Sequence, residues 1–412
     1  MKGSKMSKQD LTGKAIVFLA DGMADEPLME LNGKTPLEAV NTPFMDRIAA
    51  EGASGTFLTL PEGFPTSSDA ANMSVLGYSL AQFYPGRGPI EAVSQGIALA
   101  DDDVAFRCNL VYVEDGILRD YSAGHISPEH ARVLMEDLQK AFGSDKVTFY
   151  PGVSYRNLLV FHGREFSANV DYFKPDSSQD LPVSELPWTA LDDTAEAAHT
   201  VSELNRLYAA CGEFLAQHPL VRSGAAKGNA IWPWSPGRTP AFTPFVEKYT
   251  AKKGAVITAV DVISGIGKCA DMDVIPVDGA TGYIDTNYEG KAQAAIRAIE
   301  DHDFVYVHLE AIDETSHEGV LERKMQAISD FENRIVKPVM QALEGRNCTF
   351  AVLPDHPVPI KLRAHTRTPV PVAVCGPHIV PDSVMKYSEK DAPGGALGFM
   401  HGEEFVRKVL NI

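Results

Sequence analysis

His308-Leu309-Glu310-Ala311-Ile312-Asp313-Glu314-Thr315-Ser316-His317 decides how this chain is read. The apolar run before it, Phe304 to Val307, has the continuous character of a strand buried on both faces. Asp313 and His317 stand four apart where that strand gives way to a turn or helix start. A carboxylate oxygen and an imidazole nitrogen can therefore converge on one divalent ion. A single Asp/His pair is commonly two solvated residues, but here the pattern repeats. A second apolar run, Cys348 to Leu353, leads into Asp355-His356, and a third, Lys14 to Ala20, into Asp21-Gly22. His401 follows a glycine-rich loop. In open α/β sheets functional groups gather beyond the carboxyl ends of strands. The pattern therefore predicts an α/β fold and a two-metal site for phosphoryl transfer.

At 412 residues the chain exceeds the usual size of one domain, so two are expected. Its formal net charge of -18 argues against non-specific binding to nucleic acid or an anionic membrane. Any anionic substrate must meet a locally basic pocket. The five cysteines are odd in number and form no C-x-x-C pair, which points to reduced thiols in a cytoplasmic protein. Met1 to Leu11 lacks the apolar stretch of a secretory signal, and no segment is long and apolar enough to span a bilayer. Nothing in the sequence specifies an oligomeric state.

Thr42-Pro43 reads as a helix cap with a first-turn proline, and Gly52 closes that helix. Pro65 to Met73 reads as a loop entering a helix. A serine there is ordinarily a cap, yet the same position favours an alkoxide or phosphate through free N–H groups and the helix dipole. Ser68 is therefore the nucleophile candidate, with Ser67 a chemically equivalent neighbour. Tyr84 to Glu91 reads as turn residues carrying Arg87. Beyond it Val104 to Tyr112 and Val153 to Phe161 read as strands, Pro128 to Phe142 and Ala195 to Gln217 as helices. This block interrupts the strand-end acids and is expected to be an inserted second domain. After the strand Ala255 to Val260, Ser264-Gly265-Ile266-Gly267-Lys268 is a glycine turn matching no phosphate-binding motif. Glu318 to Leu343 has core-facing positions three or four apart, an amphipathic helix with Pro338 as its expected kink. Pro369 to Cys375 is a further strand and Glu403 to Leu410 a closing helix. His308 and His365 are expected to support the ligands rather than to be among them.

Set in order, Ala20-Asp21-Gly22-Met23-Ala24-Asp25, Ser68-Asp69-Ala70-Ala71-Asn72 with Leu76-Gly77-Tyr78, Gly86-Arg87-Gly88-Pro89-Ile90-Glu91-Ala92, His308 to Gly319 and Pro354-Asp355-His356-Pro357 resemble the alkaline phosphatase superfamily. Within it the chain is most similar to the cofactor-independent phosphoglycerate mutases, in the short archaeal-type branch also found in bacteria. The resemblance runs nearly end to end. It implies an alkaline-phosphatase-like sheet flanked by helices, formed by residues 1–100 and 240–412, with a smaller α+β substrate domain at 101–239. It also implies two divalent metal ions, manganese, magnesium or zinc: one held by Asp21, Ser68, Asp355 and His356, the other by Asp313, His317 and His401. Two positions depart from the family pattern. Ser67 stands where a glycine often precedes the nucleophile, and Ile312 where relatives commonly place proline.

The activity so implied is interconversion of 3-phosphoglycerate and 2-phosphoglycerate through a phosphoserine, without bisphosphoglycerate. Water must be kept from the phosphoserine, a reason for the inserted domain to close on the site. The substrate is a small phosphorylated acid, so cations are needed. Arg107, Arg156 and Lys268 are the candidates, arginine's planar fork suiting carboxylate and phosphate. Asp120, in Arg119-Asp120-Tyr121-Ser122-Ala123-Gly124, is placed either on a glycerate hydroxyl or as a turn aspartate. Three rivals stand beside this reading: a homoserine kinase-like phosphotransferase, a metal-dependent phosphatase or phosphodiesterase, and a silent binding protein of the same fold. Turnover of phosphoglycerate without nucleotide separates the first from a mutase, and net phosphate release marks the second. Loss of metal binding marks the third.

Overall fold

The computed structural model describes residues 10–412. The N-terminal stretch read as carrying no secretory signal lies, up to residue 9, outside the described residues. The chain divides into two compact units, Met1–Tyr84 with Phe242–Ile412, and Pro85–Ala241. The first boundary thus falls before residue 100. Helix Arg87–Ser94 belongs with the middle segment because it packs on strands Val104–Glu114 and Ala230–Gly237. Gly88 permits that approach, since a Cβ there would lie 2.4 Å from the Ala105 carbonyl oxygen.

The first unit is built on an eight-stranded sheet. Its order is Asp273–Val274, Gly254–Ile257, Phe304–Leu309, Ala15–Ala20, Thr349–Leu353, Val370–Cys375, Ala53–Phe57 and Gly398–Met400. The first five run parallel, while Val370–Cys375 runs antiparallel to both its neighbours. Every residue of Ala15–Ala20 and of Phe304–Leu309 is buried, as expected for strands covered on both faces. Ala20 lies opposite Leu309, and Leu19 opposite both His308 and Leu353. The three central strands therefore end level, and the residues after them emerge at one edge of the sheet. Among the described residues no helix is long and apolar enough to cross a membrane.

Three helical readings change in this unit. Ser264 to Lys268 is not a turn but lies inside helix Asp261–Cys269. Gly267 serves packing: a Cβ there would lie 3.0 Å from Val256 Cγ2 and 3.3 Å from Val274 Cγ2, both on the sheet below. Glu318 to Leu343 is not one helix. Glu318 ends helix Ala311–Glu318 with Gly319 left-handed, and the chain restarts as Leu321–Asp330. It passes through a π-helical turn, Phe331–Val336, before Lys337–Ala342, so the irregularity precedes Pro338. Thr42 makes no side-chain cap on helix Pro43–Ala50; buried Glu332, in the π turn, accepts from Phe44 N–H at 2.6 Å and Met45 N–H at 3.1 Å instead.

The second unit carries a five-stranded antiparallel sheet in which Val104–Glu114 is flanked by Arg156–Phe161 and Ala230–Gly237. Helices Pro128–Phe142 and Ala195–Gln217 take the bounds their capping residues mark: Ser127 and Thr194 accept from the N–H groups of His130 and Ala197. Leu134, Leu138, Leu204, Leu207, Phe106 and Phe161 share one buried core with Trp188, Trp232 and Trp234.

Candidate metal centre

The level strand ends bring the acids together. Asp21 follows Ala15–Ala20 directly, Asp355 follows Thr349–Leu353 by two residues, and Asp313 sits in the first turn of helix Ala311–Glu318. Gly22 makes this possible. Its φ is +67°, and a Cβ would lie 2.7 Å from Asp313 Cα, so only glycine lets the two loops cross so closely.

Asp21 Oδ2 lies 3.0 Å from His308 Nε2, and Asp21 Oδ1 lies 3.3 Å from His356 Nε2. Asp355 Oδ1 accepts from Gly22 N–H at 3.2 Å and His356 N–H at 2.8 Å, while Oδ2 accepts from Asn72 Nδ2 at 2.8 Å. Asn72 is fixed in turn, donating also to Ser68 O and accepting from the Tyr306 hydroxyl at 2.6 Å. Ser68 opens helix Ser68–Val75 and is half-buried, its Oγ 3.2 Å from His356 Nε2. Ser67 is the N-cap residue, and its Oγ is buried without a hydrogen-bond partner.

On the other side Asp313 Oδ2 lies 3.4 Å from His317 Nε2, and Asp313 Oδ1 lies 3.3 Å from His365 Nε2. The two imidazole Nε2 atoms are 2.9 Å apart. His317 Nδ1–H donates to Arg363 O at 2.9 Å, which turns its Nε2 lone pair inward. His365 also stacks on His356, ring centroids 3.8 Å apart. His365 is thus the third side chain beside Asp313 and His317. His401 is not: it is exposed, with Nδ1 3.5 Å from Glu404.

Strand order explains the exchange. Val370–Cys375 is antiparallel to Thr349–Leu353, so the residues before it, including His365, lie at the same sheet edge as the ends of the parallel strands. His401 follows Gly398–Met400, the outermost strand and five positions from Phe304–Leu309, roughly 24 Å at the usual ~4.8 Å spacing. A histidine preceding an antiparallel strand was the available signal.

The electrostatics of the cluster are those of a cation site. Burial, then Asp355, Glu310 and Asp313, hold the Asp21 carboxyl well above its ordinary range. Burial raises Asp355 to about 7 and Glu310 to about 8. Asp313 goes the other way: burial would raise it, but His365 and His317 hold it well below the usual value. Burial pushes His308 down to about 3, so it is neutral and binds Asp21 as a donor. Asp21 Oδ1, Asp313 Oδ1 and Glu310 Oε2 are buried and make no hydrogen bond. Among the described residues, ligand atoms come within 4.8 Å of one another in the sets Asp313, His317, His365; Asp21, Asp313, His356; Asp21, His308, Asp355; and Glu310, Asp313, Glu314. Carboxylate oxygen and imidazole nitrogen without thiolate fit a divalent ion of hard or borderline character.

The arginines belong to the second unit. Arg107 is buried, and its guanidinium meets Glu91 Oε1, the same atom that Arg87 Nε reaches at 2.7 Å. Both guanidinium groups lie over the Trp234 ring, at 5.9 Å for Arg87 and 5.5 Å for Arg107. Arg107 Nε is buried without a partner, and Arg156 is close enough to influence the others electrostatically. Two arginines share one carboxylate, and the charge of a third acts on it. Asp120 is a turn-former: it accepts from Ser122 N–H and Oγ–H at 2.7 Å and from Gly124 N–H at 2.8 Å. Lys268 is exposed in the last turn of its helix, on no glycine loop.

Residues 49–221 match the family model described as 2,3-bisphosphoglycerate-independent phosphoglycerate mutase. A protein of that name from Methanosarcina acetivorans is 45% identical over 406 residues, covering 97% of this chain and 100% of its own. A probable one from Geobacter sulfurreducens is 42% identical over 409 residues, covering 97% of this chain and all of its own. The solved cofactor-independent phosphoglycerate mutase of Thermoplasma acidophilum superposes with a TM-score of 0.63 at 26% identity, covering 97% of this chain and 98% of its own. A protein of Pyrococcus horikoshii reaches 0.80 at 25% identity, covering 97% of both chains. With acids and histidines gathered at the strand ends and relatives matching over nearly its whole length, the chain belongs to the 2,3-bisphosphoglycerate-independent phosphoglycerate mutases.

Proposed function

We propose that this phosphoglycerate mutase works through a phosphoserine on Ser68 at a centre of two divalent ions. Asp21, Ser68, Asp355 and His356 would hold one, and Asp313, His317 and His365 the other. Bound there, manganese, magnesium or zinc would lower the pKa of the Ser68 hydroxyl and offset charge on the phosphoryl oxygens. The carrying observation is Ser68 Oγ, half-exposed and 3.2 Å from His356 Nε2 within the cluster of acids and histidines.

Ser68 Oγ attacks the phosphorus of 3-phosphoglycerate. The Oγ–P bond forms as the bond to O3 breaks, Ser68 giving up a proton and O3 of glycerate gaining one. Glycerate reorients, and its 2-hydroxyl attacks the phosphoserine. The O2–P bond forms, the Oγ–P bond breaks, and the proton changes are reversed. Nothing is consumed, and no bisphosphoglycerate enters. The N-terminus of helix Ser68–Val75, through its dipole, favours negative charge on the phosphoryl group. Arg107 and Arg156, with Arg87, are the anion-binding groups for phosphate and carboxylate; their excess over Glu91 supports that role. All five cysteines are free thiols, which supports a cytoplasmic setting.

Phosphorus NMR of the manganese-loaded protein with 3-phosphoglycerate alone tests this. The expected result is 2-phosphoglycerate from wild type and from Ser67→Ala, none from Ser68→Ala, and phosphoserine at position 68 after acid quench. Turnover retained by Ser68→Ala but lost in Ser67→Ala overturns the assignment. Release of inorganic phosphate alone overturns the mutase mechanism.

A further inference from the structure

Behind the ligand loops of the first unit lies a cavity of about 290 Å³. Pro357, next to His356, and Thr366, next to His365, line it together with Ala24, Asp25 and Thr56, yet none of the grouped metal-site residues does. Five of its lining residues are prolines, which present rigid apolar faces at no cost in side-chain entropy. The charged groups that line it are of one sign. Asp25, Glu26 and Glu389 contribute carboxylates, and no lysine, arginine or histidine lines the space.

Asp25 is already compensated. Lys324 Nζ, fully buried, donates to Asp25 Oδ2 at 2.7 Å and to Val358 O at 2.8 Å. Glu389 makes no such ion pair among the described residues. Its oxygens accept from Asp25 N–H at 3.0 Å and the Thr35 hydroxyl at 2.7 Å, both neutral donors. Burial pushes its carboxyl up to about 7, and the Lys324 charge, bonded to Asp25 instead, offsets this only in part. These carboxylates form none of the groups able to hold a metal ion among the described residues. The occupant that suits them is a cation with an apolar body. The volume holds on the order of ten non-hydrogen atoms, judged against about 30 Å³ for a water in the liquid.

We propose that this cavity binds a small organic ammonium ion with a ring-sized apolar body, its charge on Glu389 and its ring against the prolines. Occupancy is felt at the metal centre because the cavity wall and the ligands share two short loops. Pro357 O accepts from Thr366 N–H at 3.1 Å, joining the wall at its midpoint between His356 and His365.

Benzylammonium and its neutral isostere benzyl alcohol are the probes, titrated into the full-length, manganese-loaded enzyme by calorimetry and ligand-observed NMR. Saturable one-to-one binding is expected, at least tenfold tighter for the ammonium. Glu389→Gln should erase that preference, and Thr368→Trp, which fills the cavity from an exposed position, should abolish binding. Glu389→Gln, which leaves the cavity empty, should keep basal turnover of 3-phosphoglycerate within about twofold, so a failed mechanism and a failed cavity read out separately. Equal affinity for the two probes, or ammonium binding that survives both variants, overturns the site. An unchanged manganese affinity on saturation with benzylammonium overturns the link to the metal centre.

Discussion

At the scale of single residues the sharpest test concerns two histidines. His365 Nε2 lies 3.3 Å from Asp313 and 2.9 Å from His317 Nε2, whereas His401 is exposed beside Glu404. Calorimetric titration of manganese should therefore show one of two sites weakened in His365→Ala by at least the roughly 10–100-fold that losing a supporting residue costs. His401→Ala should bind both ions as wild type does; the reverse pattern would return His401 to the centre. Glu91 gives a further test. It is buried against Arg107 and Arg87, and although burial would raise its pKa, the two arginines hold it below the ordinary value. Glu91→Gln leaves Arg107 buried without its counter-charge, so a loss of about 3 kcal/mol in urea unfolding followed by tryptophan fluorescence is expected. The sign of the pH effect follows from the lowered pKa. The Glu91 contribution is complete above the ordinary glutamate range and is lost as pH falls through the depressed folded value. Wild type should lose this stability on acidification, while Glu91→Gln, with nothing left to protonate, should show a flatter profile. That Asp21, Ser68, Asp313, His317, Asp355 and His356 lie near one another was legible because each follows an apolar run or stands near the start of a helix. His365 and Glu91 were not legible in the same way. His365 precedes its strand instead of following it, and Glu91 stands among glycines and a proline that have the character of a turn.

At the scale of elements, what hid from the sequence was backbone geometry set by distant partners. Pro128–Phe142 and Ala195–Gln217 were readable to the residue because their caps are local. The long stretch after Gly319 was not. Its three-four spacing continues unbroken, yet a π turn at Phe331–Val336 redirects Glu332 to the start of helix Pro43–Ala50, 288 residues away in sequence from Phe44. Periodicity cannot show such a cap, and Thr42, the local candidate, accepts no cap hydrogen bond. Glu332→Ala should then remove the partner of two helix N-terminal N–H groups and cost about 1–2 kcal/mol in urea-induced unfolding. Thr42→Ala should cost much less. If the two variants are destabilised equally, Glu332 is not the cap. The glycines of helix Asp261–Cys269 teach a related lesson. Gly265 and Gly267 read as a turn because glycine signals either a turn or a close approach, and at Gly267 the neighbouring strands decide for the latter.

At the scale of the whole chain, the division into a discontinuous unit and a continuous one was legible from the interruption of the strand-end acids. The boundary near Tyr84 was not, because Arg87–Ser94 opens with glycine and proline and disguises a helix as a turn. The continuous unit, Pro85–Ala241, has its own sheet and its own buried core, within the size range of a domain that folds alone. All three tryptophans of the chain, Trp188, Trp232 and Trp234, lie inside it and are at most 7% exposed. Their indole N–H groups all bond within the same segment, to Pro233 O, Phe173 O and Asn109 Oδ1. Expressed alone, residues 85–241 should therefore show the blue-shifted emission of buried indoles and a single cooperative urea transition. Arg107 would keep both Glu91 and Trp234, since every member of that cluster is in the fragment. Emission at the wavelength of solvent-exposed tryptophan, or a gradual loss of signal without a transition, would mean that this core depends on the rest of the chain.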